Sequence, residues 1–149
     1  MSDDTKKAQE TSSIPISSML KRNETKLLVV EDDRFLRELL VGKLKREGFS
    51  VVEAFNGEEA LTQIRAEHPH LILLDLVLPG TDGFGVLATM KEKPELKTPT
   101  IVLSNLGSRE DIDKAMDYGA KEFMVKAHHT PQEIVERVKK VLDEHYLHQ

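Results

Sequence analysis

Residues 71–80 read LILLDLVLPG, an apolar run that ends in a carboxylate. Four consecutive apolar residues are typical of a strand that is covered on both faces of a parallel sheet. Asp75 follows them directly, although burying an unpaired carboxylate is costly. Pro79 and Gly80 then indicate a loop. An acidic side chain at the end of a buried strand therefore predicts a functional site.

A second apolar run has the same form. Residues 27–30 read LLVV and are followed by Glu31, Asp32 and Asp33. If the two strands are parallel and adjacent, their carboxylates gather at one edge of the sheet, and ligands of open α/β sheets bind at the carboxyl ends of the strands. Asp33 is better explained as the N-cap of the next helix.

From residue 26 onward, short apolar strands alternate with amphipathic helices. The predicted strands are residues 27–31, 50–54, 71–75, 99–104 and 121–126. Helix starts are indicated by Asp33, Asn56, Ser108 and Thr130, and the first helix carries an apolar stripe of Phe35, Leu36, Leu39, Leu40 and Leu44. This alternation predicts an α/β fold with a five-stranded parallel sheet and helices on both faces. The flavodoxin-like strand order 2-1-3-4-5 would make strands 1 and 3 neighbours, with their carboxylates side by side.

The 149 residues are sufficient for one domain with a hydrophobic core. Residues 26–145 are predicted to form it. Residues 1–25, rich in Ser, Thr, Lys and acidic side chains, are predicted to be a disordered tail, and residues 146–149 a short C-terminal tail. The apolar residues 14–16 leave open a docking segment for a partner within the first tail.

Composition excludes several classes of function. A net charge of −5 argues against a general nucleic-acid surface, and the absence of cysteine excludes disulfides, thiolate zinc sites and cysteine nucleophiles. No apolar run has membrane-spanning length and no signal peptide is recognisable, so we expect a cytoplasmic protein. The histidines have no zinc-binding companions and are expected to be exposed loop and tail residues: His68, His70, His128, His129, His145 and His148.

The predicted acidic edge has the chemistry of a phosphoryl site. Converging carboxylates repel one another unless a cation binds, and oxygen ligands without His or Cys suit Mg²⁺. Ser104 ends the fourth predicted strand with a hydroxyl, and Lys126 ends the fifth with a positive charge. A nucleophilic carboxylate, a metal pocket, a hydrogen-bond donor and a cation are the main requirements of phosphoryl transfer.

In combination, these motifs resemble the receiver domain of response regulators, over about residues 26–142. The motifs are VVED at 29–32, Asp75, LPG at 78–80, DG at 82–83, Ser104 and Lys126. The resemblance implies a single-domain, chemotaxis-type receiver of two-component or phosphorelay signalling. It implies that Asp75 accepts a phosphoryl group from a histidine kinase or a phosphotransfer protein.

The resemblance also implies roles for the surrounding residues. Mg²⁺ would be held by Glu31, Asp32, Asp75 and the backbone carbonyl of Val77. Ser104 would move toward the phosphoryl group, Phe123 would take the aromatic switch position, and Lys126 would form an ion pair with phosphorylated Asp75.

The chain departs from the family pattern around this site. Ala127 stands where the family usually has Pro after Lys, in a bond that is typically cis. A cis bond without Pro costs about 2.5–4 kcal/mol, so we predict a trans Lys126–Ala127 bond or a reshaped loop. Asn105 stands where a small residue is usual. Val77 and Leu106 occupy positions where polar side chains tune acyl-phosphate hydrolysis, and neither can orient a water, which predicts slow self-dephosphorylation.

Three functions compete. The first is a phosphorylation-controlled switch without an attached output domain, which catalyses only its own phosphoryl transfer and slow dephosphorylation. It would signal by protein contact through helix 4, strand 5 and helix 5, as a monomer or a phosphorylation-dependent dimer, without binding nucleic acid or a membrane. The second is an interaction module that keeps the fold but is independent of phosphorylation, which Ala127 and Asn105 favour. The third is an Asp-nucleophile phosphatase of the haloacid dehalogenase type, which expects a second Asp where this chain has Val77.

Overall fold

Five parallel strands alternate with five α-helices in the computed structural model, which describes residues 24–147. The strands are β1 (Lys26–Val30), β2 (Ser50–Ala54), β3 (Leu71–Leu74), β4 (Thr100–Ser104) and β5 (Glu122–Val125). The helices are α1 (Arg34–Arg46), α2 (Gly57–Glu67), α3 (Gly83–Glu92), α4 (Arg109–Asp117) and α5 (Pro131–Leu147), and short 3₁₀ turns occur at Pro94–Leu96 and Lys126–His128. The strand order β2-β1-β3-β4-β5 confirms the predicted fold class and topology.

The strand register places the carboxyl ends of β1 and β3 side by side. Val30 of β1 pairs with Leu74 of β3, so the residues that follow them, Glu31 and Asp75, leave the sheet side by side. The amide of Asp75 continues this ladder by donating to the carbonyl of Val30 at 3.0 Å. Ser104 of β4 pairs with Val125 of β5 in the same way, which fixes the backbone position of the next residue, Lys126.

Two hydrophobic cores cover the two faces of the sheet, as alternation along each strand requires. Leu27 and Val29 face one core, which α1 and α5 close, and Leu28 and Val30 face the other, which α2, α3 and α4 close. Phe35 is an error in the predicted stripe of α1, since its side chain is 80% exposed. At 3.6 residues per turn it lies on the opposite side of the helix from the buried Leu40 and Leu44.

The predicted helix starts are confirmed by side-chain caps. Asp33, Asn56 and Ser108 each accept a hydrogen bond from a backbone amide in the first turn of their helix. At α5, Thr130 Oγ1 accepts from the amide of Glu133 at 3.1 Å, and the Glu133 carboxylate accepts from the amide of Thr130 at 2.7 Å. These bonds satisfy amide groups that have no partner within the helix.

The ends of the folded part differ from the prediction by a few residues. Thr25, which the prediction placed in the tail, is buried, and its carbonyl accepts from the amide of Ser50 at 3.1 Å. Helix α5 continues to Leu147, past the predicted boundary at residue 145, because Tyr146 packs against the core. The predicted tail segments 1–23, with the apolar residues 14–16, and 148–149 lie outside the described residues.

His70 is a second error, because it has a structural role at the start of β3. Its Nδ1 accepts from the amide of Lys26 at 3.0 Å, and its carbonyl accepts from the hydroxyl of Tyr146 at 2.7 Å. The two rings meet edge to face, with centroids 5.8 Å apart. Across residues 24–147, no helix has the length and apolar character needed to cross a membrane.

Candidate functional site

Three carboxylates converge where β1 and β3 end. Glu31 and Asp75 are buried, with 2% and 5% of their surface exposed, whereas Asp32 is exposed. Each contributes an oxygen that lies within 4.8 Å of the oxygens of the other two. The structure therefore brings together the predicted acidic residues, as the predicted strand order required.

Lys126 enters this cluster from the end of β5. Its Nζ lies 2.6 Å from Glu31 Oε1 and 2.8 Å from Asp75 Oδ2. The prediction paired Lys126 with Asp75 alone, so the contact with Glu31 is additional. One half-buried ammonium thus faces two buried carboxylates, with the carboxylate of Asp32 nearby.

The pKa values of Glu31 and Lys126 reflect this crowding. Burial raises the pKa of Glu31 above its ordinary value, and the hydrogen bonds from Lys126 and from the amide of Asp33 offset only part of the effect. Burial alone would lower the pKa of Lys126, but hydrogen bonds to Asp75 and Glu31 outweigh it and leave the pKa raised. Lys126 therefore stays charged, and its hydrogen bonds favour the ionised form of Glu31 against the effect of burial.

The cluster opens to solvent through a shallow depression of about 480 Å³. Its lining consists of Glu31, Asp32, Asp33, Asp75, Val77, Asn105 and Lys126. Two carboxylates at the floor and one at the rim provide hard oxygen ligands without nitrogen or sulfur, a donor set that suits a divalent cation such as Mg²⁺. Asp33 lines the depression, but its Oδ1 accepts from the amide of Leu36 at 3.1 Å, which confirms it as a helix cap.

The segment after Asp75 is tied to the carboxylate. The amide of Val77 donates to Asp75 Oδ1 at 3.2 Å, while the Val77 side chain is 55% exposed. Gly83 packs so closely that a Cβ there would lie 2.4 Å from the carbonyl oxygen of Asp75. The loop can therefore follow this course only with glycine at position 83.

Ser104 and Phe123, the two predicted switch residues, lie on β4 and β5, the strands that precede Asn105 and Lys126 of the site. Ser104 is fully buried, and its Oγ accepts from the amide of Leu106 at 3.3 Å. Phe123 is half-buried and packs against the core under α2, α3 and α4. In this structure Ser104 thus holds the first turn of the loop after β4, and Phe123 contributes to packing.

The turn after Lys126 confirms one prediction made from the family departures. The described residues contain no cis peptide bond, so the Lys126–Ala127 bond is trans. Lys126–His128 form a single 3₁₀ turn, and its end is marked by the amide of His129 donating to the carbonyl of Lys126 at 3.4 Å. Lys126 still reaches both carboxylates, so a trans bond is compatible with its position in the cluster.

Comparison with known proteins gives a consistent result. The family described as the response regulator receiver domain matches residues 27–139. The transcriptional regulatory protein ResD of Bacillus subtilis is 41% identical over 120 residues, covering 80% of this chain and 49% of that protein. The probable transcriptional regulator ycf27 of Cyanophora paradoxa is 37% identical over 120 residues, with the same two shares. The chain spans about half the length of the curated relatives it matches.

Solved structures agree with the sequence matches. A CheY-like receiver domain protein from Methanospirillum hungatei JF-1 superimposes with a TM-score of 0.77 at 27% identity, covering 84% of this chain and 98% of that one. The BeF3-activated N-terminal receiver domain of Klebsiella pneumoniae RstA gives a TM-score of 0.72 at 27% identity, covering 83% and 99%.

Proposed function

The chain belongs to the family of response-regulator receiver domains, and from this premise we propose that phosphorylation of Asp75 switches a protein-binding surface. Membership of the family supports a role in phosphorylation-controlled signalling of two-component systems, and we propose a histidine kinase or a phosphotransfer protein as the phosphoryl donor. The observation that carries the proposal is the buried Asp75 carboxylate, held 2.8 Å from the Lys126 ammonium beside two further carboxylates.

The proposed reaction is nucleophilic attack by an Asp75 oxygen on the phosphorus of the donor. The bond from phosphorus to the donor's leaving group breaks as the acyl phosphate forms. Lys126 neutralises charge on the phosphoryl oxygens. Its backbone position is fixed because the preceding residue, Val125, pairs with Ser104 of the neighbouring strand. The carboxylates of Glu31, Asp32 and Asp75 and the carbonyl of Val77 would hold Mg²⁺, which supplies charge neutralisation for the transfer.

Switching would begin at Ser104. Its hydroxyl accepts from the amide of Leu106, so rotation toward a phosphoryl oxygen would release that amide and the loop that leads to α4. Phe123 lies on the adjacent strand and would occupy the space that this movement opens. The surface formed by α4, β5 and α5 would then change its contacts with a downstream protein, in a monomer or in a phosphorylation-dependent dimer.

Val77, which lines the depression, and Leu106, which follows the lining residue Asn105, support a long-lived phosphoryl group. Val77 and Leu106 are 55% and 36% exposed, and neither can orient a water for attack on the acyl phosphate. Asn105 lines the depression and can donate to a phosphoryl oxygen. These residues support slow self-dephosphorylation. The site would hydrolyse its own acyl phosphate and would not turn over a separate substrate.

Phosphorylation with acetyl phosphate and Mg²⁺, followed by intact-protein mass spectrometry, tests the proposal. We expect one added phosphoryl group, no addition in Asp75→Asn, and normal addition in the control Asp82→Asn, since Asp82 is an exposed helix cap in the same loop. Addition to Asp75→Asn at the level of the unaltered protein would contradict the assignment.

The lifetime is measured by removing the donor and following the decay of the phosphorylated mass. We expect a half-life of minutes or longer, shortened by Val77→Asn, which introduces a polar side chain at the rim. A half-life of seconds in the unaltered chain would contradict the slow-hydrolysis proposal.

An interaction module that does not depend on phosphorylation is the second candidate. The trans bond and 3₁₀ turn at Lys126–His128, where the family usually has a cis proline, favour it. In that case partner binding would be equal for the unaltered protein and Asp75→Asn, with or without acetyl phosphate.

A further inference from the structure

The edge of the sheet opposite Asp75, where the strands begin, carries a continuous groove formed by two adjoining cavities. The first, about 310 Å³, has a mainly apolar wall of Leu87, Met90, Pro94 and Tyr118. The second, about 430 Å³, is lined by Pro99, Lys121 and His145. Lys97, Thr98 and Gly119 line both cavities. We refer to these residues together as the amino-edge groove.

Two ammonium groups in the groove are unpaired within residues 24–147. Lys97 and Lys121 form no ion pair or side-chain hydrogen bond with a described residue, and no carboxylate lines either cavity. Lys91 differs, because its Nζ donates to the carbonyl of Asp117 at 2.7 Å and so complements the carboxyl end of α4. In a chain with a net charge of −5, two free cations at the same cavity form a local site of opposite sign.

His145 responds to this positive charge. Burial lowers its pKa, and the charges of Lys121 and Lys97 lower it further. Its imidazole thus binds a proton less readily than a free histidine, because it lies near two positive charges. The same potential that disfavours a proton on His145 favours an anion in the cavity.

We propose that the amino-edge groove binds a small amphipathic monocarboxylate, with the carboxylate at Lys97 and Lys121 and an aliphatic or aromatic body between Met90 and Tyr118. The two ammonium groups favour the carboxylate of the ligand by charge complementarity, and the adjoining apolar wall favours an aliphatic or aromatic group attached to it. The two cavities together have the size of small-molecule sites, about 300–1,000 Å³. This site lies at the other end of the strands from Asp75 and does not depend on the proposed phosphorylation.

Titration of the full ¹⁵N-labelled chain with sodium hexanoate, monitored through the amide signals of Thr98, Gly119 and Lys121, tests the proposal. Sodium acetate and 1-hexanol serve as probes that each lack one half of the ligand. We expect saturable shifts with hexanoate and an affinity about tenfold lower for each of the other two, since each loses either the charge-assisted contacts or the apolar burial.

Matched double variants separate a site from a general charge effect. Lys97→Gln with Lys121→Gln should weaken hexanoate binding about tenfold or more, as expected for the loss of two charge-assisted contacts. Lys45→Gln with Lys140→Gln removes the same charge from exposed helix positions outside the groove and should leave the affinity unchanged.

Several results would overturn the proposal. They are equal loss of binding in both double variants, equal affinity for hexanoate and acetate, or no shift of the groove amides. Shifts that follow protein concentration without any ligand would instead assign the groove to a second copy of the chain. Asp75→Asn should bind hexanoate normally, so failure of the phosphorylation proposal and failure of this one are distinguishable.

Discussion

Two polar sites lie at opposite edges of the same sheet and are paired in different ways: the acidic cluster at the carboxyl edge and His70 at the amino edge. At the carboxyl edge, Glu31 and Asp75 are buried and share the single ammonium of Lys126. At the amino edge, His70 accepts from one backbone amide and its carbonyl accepts from Tyr146, so both contacts are neutral and paired. The contacts of His70 therefore stabilise the fold, whereas the acidic cluster at the carboxyl edge keeps an excess of charge that folding alone does not require.

The largest expected effect comes from removing the cation of the carboxyl edge. Lys126→Met leaves two buried carboxylates without a cationic partner, and breaking a buried ion pair costs about 3–5 kcal/mol. The free energy of unfolding, from urea denaturation, should fall by that amount. Lys121→Met, at the exposed amino edge, should change it by no more than about 0.5 kcal/mol.

The double variant Lys126→Met with Asp75→Asn provides a second test in case Lys126→Met alone does not fold. Adding Asp75→Asn removes one of the two repelling carboxylates and should restore part of the lost stability. Equal, small effects of Lys126→Met and Lys121→Met would show that the two edges do not differ in the way described.

A smaller effect is expected at the amino edge. Tyr146→Phe removes the hydroxyl that donates to the carbonyl of His70, and leaving this half-buried acceptor without its partner costs about 1–2 kcal/mol. The extent of phosphorylation by acetyl phosphate, measured by mass spectrometry, should not change. A loss of phosphorylation in this variant would mean that the two edges are coupled rather than separate.

The smallest effect concerns Asp75 itself. Asp75→Asn removes repulsion with Glu31, while Lys126 keeps Glu31 as a partner at 2.6 Å. We expect the free energy of unfolding to rise by about 1 kcal/mol, as is common when a strained functional site is relieved. A clear loss of stability in urea denaturation would instead make Asp75 a structural residue.

Most of the fold could be predicted because it depends on local patterns. The apolar runs that end at Val30 and Leu74 indicated buried parallel strands, and topology then placed Glu31 beside Asp75. Cap residues marked the helix starts for the same reason, since a cap acts on amides only a few residues away. The exposed Phe35 was mistaken for a core residue because it neighbours Leu36 in sequence, although the helix turns it to the other side.

The contacts that the sequence did not reveal are made between distant segments. Lys126 contacts Glu31 as well as Asp75, and His70 contacts Lys26 and Tyr146. No periodicity encodes which partners a long or ring-bearing side chain reaches after the chain has folded. The amino-edge groove was missed for this reason too, since Lys97, Lys121 and His145 come from three separate connections or helices.

Peptide mapping after phosphorylation and borohydride reduction tests the central claim most directly, because reduction converts an aspartyl phosphate to homoserine and leaves free carboxylates unchanged. The protein is treated with acetyl phosphate in the presence and absence of Mg²⁺ and then reduced and digested. We predict conversion at position 75 alone, and only with Mg²⁺. Conversion at Asp32, Asp33 or Asp82 instead, or none at all, would contradict the assignment of Asp75 as the phosphoryl acceptor.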